Sequence, residues 1–463
     1  MKRWLIGTAL FLSCIPAAGA QTLPANGDLR AFELTPSAPP VPALKYELLF
    51  DPSERRSGNA ALLYFQAEAL LSQSLSNTLN DAEEASAAVK DHAAFDKLVE
   101  SLHERNMIAL LNLAARCDVF DPQAPVREMG SGTLLPYLSA ERAMANLLMV
   151  RAVYDIRKDN LPESLSLIRA GLEMGRKMGQ EPILVSGLVA QGIIGLTLSQ
   201  PMTELMNRPD APNLYWALAS LPRPLISMQR SWGTERIGVL GDAPELASGK
   251  IDDLSGQQWR AIFDHMVEYT RSVPRQKAPE SWADPVSLAY EVIQTRAVAE
   301  AYYARTRNIP ADQAAKLNPF KLVATYWYEQ YRMISDEQYK MTALPFPLAI
   351  AGMKDVNNKL VRMVKAQPGN VFLARAGLSR FATAYARVDR QIAALTAVEA
   401  IRSYAAGYDG KLPLRLADVT DTPVLDNPMT GKPFDYTVQG DSATLADPDG
   451  DGLPLKYTIR IRK

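Results

Sequence analysis

The chain has 463 residues, 47% of them hydrophobic, with 50 basic residues against 51 acidic and a formal net charge of -1. That length and apolar content suffice for one large or two to three ordinary domains. The balanced charge, with no strongly basic block, argues against binding driven by nucleic acid or an anionic membrane surface, so no nucleic acid is expected among the partners.

The first residues read as a secretory signal over 1–20. Lys2 and Arg3 supply the positive start, Trp4 to Ile15 an apolar run, and Ala18-Gly19-Ala20 small residues at the cleavage positions, so the mature chain is expected to begin at Gln21. The weaker reading is an uncleaved anchor, because the run stops at Pro16 and spanning takes ~20 residues. Cys14 follows Phe11-Leu12-Ser13, a poor context for a lipid anchor. Cleavage leaves Cys117 as the only cysteine, with no partner for an internal disulfide, so stability must come from core burial.

Residues 21–44 carry Pro24, Pro36, Pro39, Pro40 and Pro42. Proline fixes φ and lacks a donor, which predicts an extended leader rather than packed structure. A helical body is expected over 45–376. From Asn59 to Leu79, Leu63, Ala67, Leu70, Leu71, Leu75 and Leu79 recur at spacings of three and four, one stripe of a helix. Asn106 to Arg116 behaves similarly and ends at Cys117-Asp118.

Ser139 to Met178 reads as an αα-hairpin. Met144, Leu147, Leu148, Ala152 and Ile156 trace the first helix, Lys158-Asp159-Asn160 breaks it, and Pro162 suits the first turn of the second. Small residues at Ala152, Ser164 and Gly171 give it the look of a tetratricopeptide unit, although no second copy stands out at a ~34-residue period. Ile183 to Leu198 is apolar but short, contains Gln191 and closes at Pro201, so a buried core helix is expected and no transmembrane helix in the mature chain. Prolines at 209, 212, 222 and 224 interrupt the pattern. Helices are then predicted over Gln257 to Arg271, Pro285 to Thr306, Pro319 to Tyr339, Pro347 to Val364 and Leu373 to Tyr404, with Tyr326, Trp327, Tyr328 and Tyr331 in the core.

Near Gly407 the period changes from helical to two. Phe434, Tyr436 and Val438 alternate with polar residues, Gly440-Asp441 marks a turn, and Tyr457, Ile459 and Ile461 share a face. The expected fold is mainly α, a helical bundle or TPR-like α-solenoid. A small α+β module, a helix plus a short antiparallel sheet, closes it over 377–463.

Two resemblances follow from particular stretches. LKYELLFDPSERRSGNAALLYF from Leu44, AARCD from Ala114, GTLLPYLSAERAMANLL from Gly132 and APNLYWALASLPRP from Ala211 resemble uncharacterised secreted helical proteins of planctomycete-type bacteria. That resemblance carries no activity with it. Separately, the helix through Ala397 to Tyr404, the Gly-x-Leu-Pro-x-x-Leu-x-Asp run from Gly410 to Asp418, and Asp426 to Tyr436 resemble the globular part of type II secretion pseudopilins. The module here is C-terminal and lacks the processed apolar helix that makes a pilin polymerise, so the resemblance implies a borrowed fold and not pilus assembly.

Asp447-Pro448-Asp449-Gly450-Asp451-Gly452 alternates hard oxygen ligands along a glycine-permitted loop, the pattern calcium uses. Position twelve of an EF-hand would be Thr458 in a predicted strand, so the candidate is a weaker calcium site at Asp447, Asp449 and Asp451, with Asp435 nearby. The competing reading is a solvated hairpin turn. His92, His103 and His265 have no zinc spacing, and G-x-S-x-G, S-x-x-K and Walker patterns are missing. Glu280-Ser281-Trp282 resembles the catalytic Glu followed by Ser of exported lytic transglycosylases, in which a buried Glu protonates a glycosidic oxygen, but the pair lies between Pro279 and Pro285 without that family's companion motifs, and the competing reading is a loop carboxylate. The leading expectation is an exported binding or scaffolding protein with protein partners in the cell envelope, at the periplasm or cell surface. The alternative is a cell-wall glycan-cleaving enzyme with Glu280 as its weak catalytic candidate.

Overall fold

A computed structural model describes residues 27–462 apart from 73–76, 78, 80–91, 103, 130–132, 234, 236–242, 273–281, 283, 377–380 and 449–452. The expected signal segment, with Cys14, lies outside the described residues. The fold is mainly α, 61% helical, with a small sheet at the C-terminal end.

The helical hairpin forms as its sequence predicts. The Tyr137–Arg157 and Leu161–Met178 helices meet at a turn in which Asp159 takes a left-handed φ of 62° and Pro162 occupies the opening turn of the second helix. The apolar Leu184–Thr197 helix packs on both. Gly175 sets the approach: a Cβ there would lie 2.5 Å from Ile194 Cγ1 and 2.9 Å from the Ala190 carbonyl oxygen. Among the described residues one stretch, Leu184–Met206, is long and apolar enough to cross a membrane; it is mid-chain and 61% buried within the fold.

The leader departs from expectation. Residues Asp28–Leu34 form strand β1, which pairs in parallel with β6, Leu455–Ile461, from Asp28 opposite Leu455 to Leu34 opposite Ile461. Pro24 and Pro36 bracket a proline-free run whose alternation buries Phe32 and Leu34. Overall proline content concealed that local pattern. The two other strands of this sheet, Asp435–Gln439 and Ser442–Asp447, are antiparallel as the C-terminal alternation indicates, giving the order β1–β6, then Ser442–Asp447, then Asp435–Gln439.

The stripe read over 59–79 is also displaced. The helix spans Ala60–Glu68 and buries Ala60, Ala61, Tyr64 and Ala67; of the predicted stripe Ala67 and Leu79 are buried, Leu63 and Leu71 half-buried and Leu70, past the helix end, exposed, while Leu75 lies outside the described residues. Small residues face the Arg105–Arg116 helix, so the two backbones can approach closely.

The Phe381–Gly407 helix is buried along most of its length. Its start is later than predicted because Val371–Arg375 forms a separate 3-10 turn, opened by the Asn370 side chain accepting from the Phe372 N–H. Arg402, fully buried, donates to the carbonyls of Thr35 at 2.7 Å, Ala211 at 2.6 Å and Pro212 at 3.1 Å. Asn213 donates to the Ser37 carbonyl at 2.9 Å and to that of Glu399 at 3.1 Å. The end of the leader is thus bonded to this helix rather than free.

By contacts the chain divides into two units, and the division differs from the expected boundary at 376/377. The larger unit takes the described residues up to Gln123, then Leu135–Ser231, then Thr383 onward. The smaller takes Ala124–Leu134 and Trp232–Ala382, so most of it is an insertion between Ser231 and Thr383. Its core is aromatic: Trp259, Phe263, Trp327 and Phe372 are fully buried, with Tyr328 and Tyr331 close to it. Two of its helices begin with an Asp or Asn cap followed by proline. Asp284 accepts from the Val286 and Ser287 N–H groups before Pro285, and Asn318 accepts from the Lys321 N–H before Pro319.

Candidate functional site

A buried cluster of ionisable groups lies inside the larger unit. Glu173 and Lys177 sit one turn apart on the Leu161–Met178 helix, both fully buried, with Lys177 Nζ 3.1 Å from Glu173 Oε2. Glu173 also accepts from Arg55 at 2.8 Å, Arg176 at 2.8 Å and the Phe50 N–H at 3.3 Å. Burial pushes the Glu173 carboxyl up, but Lys177, Arg176 and Arg55 outweigh it and hold it below its ordinary value. Lys177 also donates to the Ala115 carbonyl. The network therefore fastens residues 50–55 and the end of the Arg105–Arg116 helix to the hairpin.

A second group of acids is less well compensated. Glu181, buried, accepts from the Tyr137 hydroxyl at 2.6 Å. Both carboxyl oxygens of Glu141 and the Tyr64 hydroxyl are buried without a hydrogen-bond partner. Burial, then the negative charges of Glu181 and Glu68, pushes Glu141 well above the usual carboxylate range. These surroundings favour the protonated, neutral form of Glu141. Cys117, buried at the end of its helix, has its thiol pushed up by burial, which disfavours the thiolate a nucleophile needs. A raised carboxyl and two tyrosines could transfer protons, yet Glu141 and Tyr64 are closed off from solvent and substrate. None of these acids was singled out from sequence. The available signal was a Glu-x-x-x-Lys pair, Glu173 to Lys177, among the apolar neighbours Leu172, Met174 and Met178.

The calcium candidate falls differently. Asp447 ends a strand and is buried, with its carboxylate 2.8 Å from Arg390 Nη1; Arg390 also donates to the Leu453 carbonyl at 2.9 Å. Asp449 and Asp451 lie outside the described residues, and Asp435 is exposed at the start of its strand. Among the described residues no group of three or more His, Cys, Asp and Glu is arranged to hold a metal. Glu280 and Ser281 also lie outside them, as do His103 and the His92 side chain, while His265 is exposed. The neighbouring Trp282 is buried and donates to the Pro368 carbonyl at 2.7 Å, a structural bond of the smaller unit.

The larger unit also carries an aromatic surface. Tyr215, Ala400 and Val419 form a small core with Tyr404 packed against it. Trp216 meets Tyr215 edge-on at 4.9 Å, and Tyr408 stacks on Tyr404 at 4.1 Å. Tyr408 is 53% exposed and Leu414, in the loop that follows, 79% exposed. Tyr215 donates to the Pro423 carbonyl and Tyr436 to that of Pro413, so this loop region is bonded to the rings beneath it. Two ring pairs, Tyr215 with Trp216 and Tyr404 with Tyr408, thus flank one small core and reach solvent at Tyr408, the kind of construction used in rigid recognition surfaces.

Compared with known proteins, the chain matches no family model, no curated protein and no solved structure.

Proposed function

We propose that this is an exported binding or scaffolding protein of the cell envelope, and that its recognition surface is the aromatic face of the pseudopilin-like C-terminal module. The carrying observation is the stacked pair of Tyr404, packed on the Tyr215 core, and exposed Tyr408, with exposed Leu414 a few residues on. Exposed aromatic and aliphatic anchors on a rigid support lose little conformational freedom on binding, which is why they dominate interface energetics. The strongly shifted ionisable groups, by contrast, are sealed inside and act between elements of the fold. Export rests on the charged start, apolar run and small residues of positions 1–20.

The test is a cross-linking pull-down from native envelope with the full chain, comparing wild type with Tyr408→Ala and Leu414→Asp. Point changes are required because the Phe381–Gly407 helix and β6 are core elements of the larger unit. A partner captured by wild type and lost in both variants, with unchanged melting temperature, is the expected result. Equal capture by all three proteins, or no reproducible partner, would sink the proposal.

A further inference from the structure

The smaller unit presents an exposed, mainly apolar helix face. Along Pro285–Arg307, the most exposed residues from Pro285 to Ala301 are uncharged; Arg296 and Glu300, partly exposed at one edge of the face, pair with each other at 2.6 Å. Val286 is 76% exposed and Ile293 69%, with Tyr290 exposed between them and Ala297 and Ala301 continuing the same face. Their spacing of four, three, four and four makes one continuous seam about 22 Å long at 1.5 Å per residue. The opposite face of the helix is used: Leu288, Val292, Ala299 and Tyr303 belong to the aromatic core.

We infer that this face pairs with the same helix of a second copy, antiparallel, about a two-fold axis passing beside Ile293. The seam is complementary to itself in size. Reversing the helix about a point between Ile293 and Gln294 sets Val286 opposite Ala301 and Tyr290 opposite Ala297, a large residue against a small one each time. The two Ile293 side chains meet beside the axis. An interface that repeats the same patch on both partners must have this property.

It is also complementary in charge. Within the span of the seam Arg296 is neutralised by Glu300; beyond its ends the nearest exposed charges are Asp284 before it and Arg305 after it. Antiparallel pairing brings Arg305 of one copy within a turn of Asp284 of the other, once at each end. Parallel pairing would instead place like charges together. The opposed helix dipoles add in the same direction. A hydrophobic partner of unrelated sequence would satisfy the apolar seam but not this end-to-end reversal.

This inference is independent of the aromatic surface proposed above, since it concerns residues of the other unit. Sedimentation velocity on the full chain over a wide concentration range should show a reversible monomer–dimer equilibrium. Ile293→Asp should weaken it by at least about tenfold while leaving the melting temperature unchanged, because the side chain is exposed in the monomer. Cysteine pairing then reads the register. Under mild oxidation Ile293→Cys should cross-link with itself. Val286→Cys should not, because the two copies of that residue lie at opposite ends of the seam, yet it should cross-link when mixed with Ala301→Cys. The unsubstituted chain is the control for Cys117. A monomer at every concentration, a dimer indifferent to Ile293→Asp, or self-linking at Val286→Cys would each overturn the inference.

Discussion

Arg390 on the long buried helix and Asp447 at the end of a C-terminal strand form an ion pair at 2.8 Å, with side chains only 4% and 5% exposed. Asp447 was the first ligand of the calcium pattern, and its carboxylate is turned inward to a guanidinium. Arg390 reaches the Leu453 carbonyl as well, so one side chain holds both ends of the turn between the last two strands.

Asp447→Asn should therefore act as a loss of structure. It leaves Arg390 buried without its counter-charge and should cost about 3 kcal/mol of unfolding free energy. The loss, read by urea denaturation, should be the same with and without millimolar calcium. A calcium-dependent difference would restore Asp447 to the role of ligand.

Arg402→Met should be more damaging. It removes the donors to Thr35, Ala211 and Pro212 and leaves Glu399 buried beside an apolar side chain. A loss of about 3–5 kcal/mol is expected. Adding Glu399→Gln should recover part of it, because burial already raises Glu399 to about 7 and a neutral amide removes the stranded charge.

Acid should stabilise the larger unit through Asp389. Burial raises this carboxyl to about 7, against the pull of the Leu225 N–H and Arg223, while its unperturbed value is 3.8. The native state thus keeps its proton where the unfolded chain has released it. The resulting stability is complete below about pH 4 and is lost as pH rises toward 7, on the order of 4 kcal/mol in all. Asp389→Asn, whose side-chain oxygen can still accept from Leu225, should flatten the stability profile across that window. An unchanged slope would refute the assignment.

Glu141→Met should stabilise. The wild-type carboxyl has no hydrogen-bond partner and is fully buried, a penalty that an apolar side chain of similar length removes. A gain of about 1–3 kcal/mol is expected at mildly alkaline pH and a smaller one near pH 5, because a carboxyl whose value is raised by folding costs the native state more as pH rises. Chemical denaturation of the two proteins at both pH values measures it.

Gly175→Ala sets helix propensity against packing. Alanine favours an isolated helix by about 1 kcal/mol. The new methyl would press on Ile194 and on the Ala190 carbonyl, which belongs to another helix and cannot rotate away. Net destabilisation of about 1–3 kcal/mol is expected in thermal or urea unfolding.

Much of the architecture was legible from local chemistry. The hairpin turn needed only Asp159, Asn160 and Pro162. The apolar Leu184–Thr197 segment was read as a core helix from its length and its closing proline. The late strands followed from alternation around Gly440-Asp441. In each case the signal lies within a few residues of the structure it specifies.

The candidate sites were less legible, because burial of charge depends on partners far away in the chain. Nothing near Asp447 indicates that Arg390 will meet it, and nothing near Glu173 indicates Arg55. The two acids after Asp447 and the Glu280-Ser281 pair lie outside the described residues, so those patterns keep the standing their sequence supports.

By itself, then, the sequence determined helix positions, turn chemistry and the alternation of the strands, since these depend on backbone preferences and short periodicities. The tertiary structure alone decided that Asp28–Leu34 is a strand, because its partner β6 lies at the far end of the chain. It alone decided which face of Ala60–Glu68 is buried, since close approach to the Arg105–Arg116 helix outweighed the leucine stripe. It alone left the Val286-to-Ala301 face open: hydrophobic periodicity marks which residues can be buried, and only the packed neighbours determine which ones are.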